Sequence, residues 1–170
     1  MILAHKGIEV FYTDSGTGQS IVLLHGFLEN SSMWDRISDV LSSKYRVICI
    51  DLLGHGKTGC LGYVHSMEQM AEVVEKVLKE LKIRKSIMIG HSMGGGISML
   101  LTIERPEAFR ACVLVGTSAK INVAQQTLEL VKDSYLEFCN ISPNRAFADE
   151  SPENLKLEYK KGLLDTNPEV

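Results

Sequence analysis

The sequence predicts an α/β protein: a mostly parallel sheet with helices on both faces. From residue 20 to 118, short continuous apolar runs alternate with segments of helical periodicity, the pattern of parallel strands joined by crossover helices. Each run ends in glycines and polar residues, which places a ligand site beyond the carboxyl ends of the strands. The sharpest signal is local. In Ile87-Met88-Ile89-Gly90-His91-Ser92-Met93-Gly94-Gly95-Gly96, an apolar run ends at a serine with glycines two residues before and after it. A helical pattern follows, so the G-x-S-x-G motif sits between strand and helix, where its tight turn needs to be.

Taken in order, Ile2 to His5, Lys6-Gly7 and Ile8 to Thr13 form a hairpin closed by a glycine-containing turn. Asp14 to Gly18 is a loop. Ile21 to Leu24 is a buried strand ending at His25-Gly26-Phe27. Ser31 or Ser32 caps a helix with Trp34, Ile37 and Leu41 on one face. Arg46 to Ile50 is the next strand and leads into Asp51-Leu52-Leu53-Gly54-His55-Gly56. Ser66 and Gln69 make a capping box for a helix whose apolar positions are 67, 70, 71, 74, 77, 78 and 81. Ser86 to Ile89 runs into the turn at Ser92, and the helix beyond it reaches about Glu104, before Pro106.

Ala111 to Val115 is a further buried strand, ending at Gly116-Thr117-Ser118. The pattern then changes. Ala124 to Cys139 is an amphipathic helix with Leu128, Val131, Tyr135 and Phe138 on one side. Ile141 to Glu150 is a loop, and Ser151-Pro152 caps a last helix to about Leu164. Residues 1–118 thus form the sheet core, and 119–170 form helices laid over its active end.

Composition narrows the function classes. A chain of 170 residues with a net charge of −3 and no basic cluster interleaved with aromatics points away from nucleic acid. No apolar run approaches the ~20 residues of a membrane span, and Met1 to Lys6 lacks the long apolar stretch of a signal peptide. The cysteines at 49, 60, 112 and 139 show no C-x-x-C spacing, so neither a metal nor a cofactor is implied. A reduced, cytoplasmic protein is expected. Gly54-His55-Gly56-Lys57-Thr58-Gly59 matches the dinucleotide G-x-G-x-x-G, but that motif must open a helix at once. Here Cys60 to His65 intervene before the cap at Ser66. The methionines at 67, 70, 88 and 99 are read as core filler.

Strand-His25-Gly26-Phe27, Asp51 to Gly56, Gly90 to Gly95 and the Val113-Leu114-Val115-Gly116-Thr117 strand together resemble the α/β-hydrolase superfamily, in particular its small esterase-like and lactonase-like members. The resemblance implies that Ser92 is a nucleophile and that the backbone N–H groups of Phe27 and Met93 form an oxyanion hole. A serine rather than an aspartate at this turn argues against the dehalogenase branch. The expected substrate is a small carboxylic ester, lactone or thioester.

The superfamily also places a carboxylate and then a histidine after the nucleophile. No histidine follows Ser92; the five are His5, His25, His55, His65 and His91. The downstream acids Asp133, Asp149 and Asp165 do not follow strands, and Thr117-Ser118 offers none. His25, His55, His91 and Asp51 are read as loop-supporting residues. The triad acid and histidine are therefore expected to lie outside this chain, which would be the N-terminal portion of a longer enzyme and nearly inactive alone. The competing expectation is a non-catalytic remnant acting as a binding module. In either case strand 111–115 would be an apolar edge, covered by self-association or by a C-terminal fragment.

Overall fold

The structure, a computed structural model, describes residues 1–60, 66–120 and 123–166. Six strands form one sheet in the order β1-β2-β4-β3-β5-β6. They are β1 (Ile2–His5), β2 (Ile8–Ser15), β3 (Ser20–Leu24), β4 (Arg46–Ile50), β5 (Ser86–His91) and β6 (Phe109–Val115). β3 pairs in parallel with β4 on one side and β5 on the other, and β5 pairs in parallel with β6. β1 and β2 are antiparallel additions. The chain therefore steps from β3 to one side and then to the other. That reversal opens a crevice at the carboxyl ends of β3 and β5, where ligands of open α/β sheets bind.

The β1–β2 turn takes Lys6 and Gly7 through positive φ, at 49° and 85°, as a two-residue hairpin requires. β2 continues through Asp14 and Ser15, where the sequence predicts a loop. Both pair with β4, and Asp14 holds Arg46 of that strand at 2.6 Å.

Alternation sorts the sheet's side chains into two cores. Val22, Leu24, Ile48, Ile50 and Met88 face α2 (Met67–Glu80) and α3 (Met93–Glu104). Ile21, Leu23, Val47 and Cys49 face Trp34 on the opposite side. Each fully buried leucine or isoleucine contributes roughly 1.5–3 kcal/mol. α2 opens with the expected Ser66–Gln69 capping box, reciprocal at 2.9 and 3.2 Å. The segment from Leu61 to His65 that precedes it lies outside the described residues.

Several expectations change. The first helix is capped by Asn30, not Ser31 or Ser32: its side chain accepts the Ser32 N–H at 3.0 Å. A 3₁₀ turn over Ser31–Trp34 then leads into α1 (Asp35–Leu41). That turn rotates the apolar stripe, so Trp34 is buried while Ile37 is 46% exposed. The long helix expected over 124–139 is two: α4 (Gln125–Asp133) and α5 (Tyr135–Ala146), broken at Ser134 with φ −150° and ψ 57°. α5 extends into the expected loop as far as Ala146. Buried Cys139, Ser142 and Pro143 show tertiary packing overriding the turn-forming composition of Asn140 to Asn144. α6 (Glu153–Leu164) starts after Pro152, with no side-chain cap from Ser151.

Helices α4–α6 gather around Leu28, which is fully buried against Val131, Cys139 and Leu163. The run at 111–115 has the apolar composition of a buried strand but lies, as expected, at the edge: β6 is the outer strand of the sheet. Its Val113, Leu114 and Val115 are 46%, 45% and 40% exposed, which makes the edge apolar. Among the described residues, no helix is long and apolar enough to cross a membrane.

Candidate active site

At the end of β5, Ser92 adopts φ 48° and ψ −114°, a left-handed conformation that a non-glycine residue holds only at a cost of about 1–3 kcal/mol. The surroundings enforce it. Ser92 N–H donates to the Val115 carbonyl at 2.9 Å, while the Gly95 and Gly96 amides donate back to the Ser92 carbonyl at 3.0 and 3.2 Å. A side chain at Gly90 would collide with the Gly94 carbonyl, and one at Gly94 would lie 2.5 Å from the Leu24 and His25 carbonyl oxygens. Helix α3 can therefore begin against β3 only because both positions lack a Cβ. Met93, its first residue, leaves its N–H free of an intrahelical partner.

Ser92, Met93 and Phe27 line one pocket of about 620 Å³ with Met67, Met99 and Leu128. Met67 and Met99, expected as core filler, are thus pocket wall. Among the described residues, Glu68 is the one charged residue in the lining and no histidine lines it. Asp133 ends α4 and Asp165 follows α6; neither they nor Asp149 line the pocket.

The loop residues are tied down by specific partners. His25 is fully buried. Its Nε2 accepts the Leu52 N–H at 2.9 Å, which leaves Nδ1 to donate to the Gly26 carbonyl at 2.7 Å. Burial, aided by the neighbouring His55, pushes the His25 imidazole down to about 3. The unfolded chain protonates there near pH 6.5. Between the two values the unfolded state holds the extra proton, so stability falls with falling pH by up to about 1.4 kcal/mol per unit. Urea titrations between pH 7 and pH 4 are expected to show a flatter acid slope for His25→Gln; an unchanged slope rules this histidine out as the source.

His55 is buried, with Nδ1 2.9 Å from the Leu53 carbonyl. Asp51 accepts the Ser31 N–H at 2.7 Å and the Lys57 N–H at 2.8 Å, and its carboxylate fills the space a Cβ at Gly56 would need. The Lys57 amide in the G-x-G-x-x-G loop is therefore already taken by an internal anion.

His91 shows what residue-type reasoning missed. Its Nδ1 lies 2.9 Å from Glu29 Oε2, a carboxylate–imidazole pair one residue from Ser92. Hydrogen bonding to that carboxylate raises the His91 pKa against the opposing effect of burial. Its stabilising contribution is therefore present below pH 6.5 and lost as pH rises through the raised value. The pair does not line the pocket of Ser92. His91 and Glu29 line a second space of about 720 Å³, between the Ser31–Trp34 turn and α6, whereas Ser92 lines the first. No local feature of the sequence marks Glu29, because its partner His91 lies 62 residues away.

A family model described as alpha/beta hydrolase fold matches residues 19–139. A putative non-heme haloperoxidase of Mycobacterium phage D29 is 34% identical over 119 residues, covering 69% of this chain and 43% of that protein. The uncharacterized hydrolase YugF of Bacillus subtilis is 28% identical over 164 residues, covering 94% and 59%. The chain thus spans about half the length of these relatives. Among solved structures, the enol-lactonase from Burkholderia xenovorans LB400 superposes with a TM-score of 0.91 at 23% identity, over 99% of this chain and 69% of that one. The esterase EaEST from Exiguobacterium antarcticum gives 0.88 at 25% identity, over 99% and 68%.

Proposed function

Because this chain belongs to the α/β-hydrolase fold family, we propose that it carries the nucleophile side of a serine hydrolase site acting on a small, uncharged carboxylic ester, lactone or thioester. The observation that carries this reading is Ser92, held in left-handed backbone at the carboxyl end of β5 and opening into a pocket shared with Phe27 and Met93. Ser92 Oγ attacks the substrate carbonyl carbon and gives its proton to a water molecule, and the carbonyl π electrons move onto oxygen. The amides of Phe27 and Met93 donate to that oxyanion. Collapse expels the alcohol or thiol, which takes a proton back from that water, and leaves acyl-Ser92; a second water then releases the carboxylic acid and restores the Ser92 hydroxyl.

The pocket's methionines and leucines favour an apolar acyl group, and Glu68, the one charged residue in its described lining, disfavours an anionic one. No histidine follows Ser92 in the 170 residues, and neither His25 nor His91 lines its pocket. Turnover by these residues alone is therefore slow, resting on the roughly 10³–10⁴-fold acceleration over water that survives loss of triad members.

Incubation with an uncharged alkyl fluorophosphonate, followed by peptide mass spectrometry, is expected to find one adduct, on Ser92, and none in Ser92→Ala. An adduct elsewhere, with Ser92 untouched, overturns the assignment. The exposed apolar strand β6 favours a second reading, an interaction module that takes a partner strand along that edge. A folded protein that never labels supports this reading.

A further inference from the structure

Two donors can hold one oxyanion only if the loops that carry them are fixed to each other. Here they come from different strands: Phe27 from the turn after β3, and Met93 from the turn after β5. Glu29 lies between these turns and is 8% exposed. Its Oε2 accepts the Gly26 N–H at 2.8 Å and lies 2.9 Å from His91 Nδ1. One carboxylate oxygen thus holds the residue before Phe27 and the residue before Ser92.

The fit is close. A Cβ on Gly26 would lie 2.6 Å from Glu29 Oε2 and 2.9 Å from His91 Nδ1. The turn is closed by Glu29 N–H donating to the Gly26 carbonyl at 3.3 Å. Leu28 takes φ 61° within it and is fully buried among helices α4–α6. Phe27 stands between these two anchors, 37% exposed and facing the pocket. The Glu29 carbonyl accepts the Thr166 hydroxyl at 3.4 Å, which ties the turn to the end of α6 as well.

We propose that Glu29 is a positioning residue: through Gly26 and His91 it holds the Phe27 amide in register with Ser92 and Met93, so that both amides reach one oxyanion. The inference rests on the serine hydrolase reading but is separable from it. Removing the carboxylate leaves the buried Gly26 amide without its acceptor and releases His91. Both oxyanion-hole turns then lose their common anchor while the pocket wall that binds substrate stays intact.

The test uses the full chain, with Glu29→Ala and Glu29→Gln, and reads the saturation kinetics of Ser92 phosphonylation by the alkyl fluorophosphonate. The alanine variant is expected to lose about 10–100-fold in maximal rate, short of the roughly 10²–10³-fold loss of a whole oxyanion donor, with half-saturation within about twofold of the parent. Glutamine, which can still accept the Gly26 amide, is expected to recover much of that loss. An unchanged maximal rate in a folded alanine variant overturns the proposal, as does a loss confined to half-saturation. If Glu29→Ala does not fold, His91→Ala, which removes the other side of the link, decides: a reduced maximal rate supports the proposal and an unchanged one overturns it. If the parent itself does not label, the nucleophile reading falls and amide NMR judges the coupling. Ser92 and Met93 resonances that move in Glu29→Gln support it, and changes confined to residues 26–29 overturn it.

Discussion

Replacing Ser92 by glycine is expected to yield a protein inert to the fluorophosphonate yet more stable than its parent by about 1 kcal/mol, the balance of relieved backbone strain and added unfolded-chain entropy. The basis is the serine's φ of 48°, which glycine adopts without a Cβ clash. For a chain of this size the gain corresponds to a rise in Tm of roughly 2–4 °C. Ser92→Ala is the matched control, because it removes the hydroxyl and keeps the strain. Calorimetry of the three proteins gives the answer. A glycine variant no more stable than the alanine variant would show that the turn is relaxed.

The largest expected loss of stability follows from Asp51→Ala. The carboxylate is 2% exposed and receives two backbone amides, from Ser31 at 2.7 Å and Lys57 at 2.8 Å. Hydrogen bonds to a charged group contribute about 1.5–3 kcal/mol each, and their loss strands two amides in the loops beyond β3 and β4. A decrease of about 3–5 kcal/mol is expected, a large part of the roughly 5–15 kcal/mol available to a domain. It should appear in urea unfolding at pH 7 as a lowered midpoint with an unchanged slope. The Asp51→Asn variant keeps one acceptor oxygen and should fall between the parent and the alanine variant. A loss below about 1 kcal/mol in the alanine variant contradicts this account of the loop.

What could be read from the sequence was local. The buried strands β3 and β4 announce themselves as runs such as Ile21 to Leu24, and the α2 start as Ser66 with Gln69, because each signal lies within a few residues. The turn at Ser92 was legible for the same reason: its glycines are demanded by atoms of the adjoining strands and helix. Glu29 was not legible. Its partner His91 is 62 residues away, and nothing in His25-Gly26-Phe27-Leu28-Glu29 marks the carboxylate as turned inward. Ile37 misled because helical spacing alone does not fix which way a stripe faces after a 3₁₀ turn. Pro143 misled because packing against α6 keeps α5 helical where local preference would end it. Val113 to Val115 have the composition of a buried strand, and their exposure at the edge was expected because no further strand pattern follows them in this sequence.

That last strand has a consequence for the protein in bulk solution. An open edge recognises backbone rather than sequence, so any extended segment can complete it. Pairing of copies along it would follow mass action, so sedimentation is expected to show an apparent mass that rises with concentration. A mass that stays at that of one chain over a roughly hundredfold range would show that the edge does not recruit a second copy.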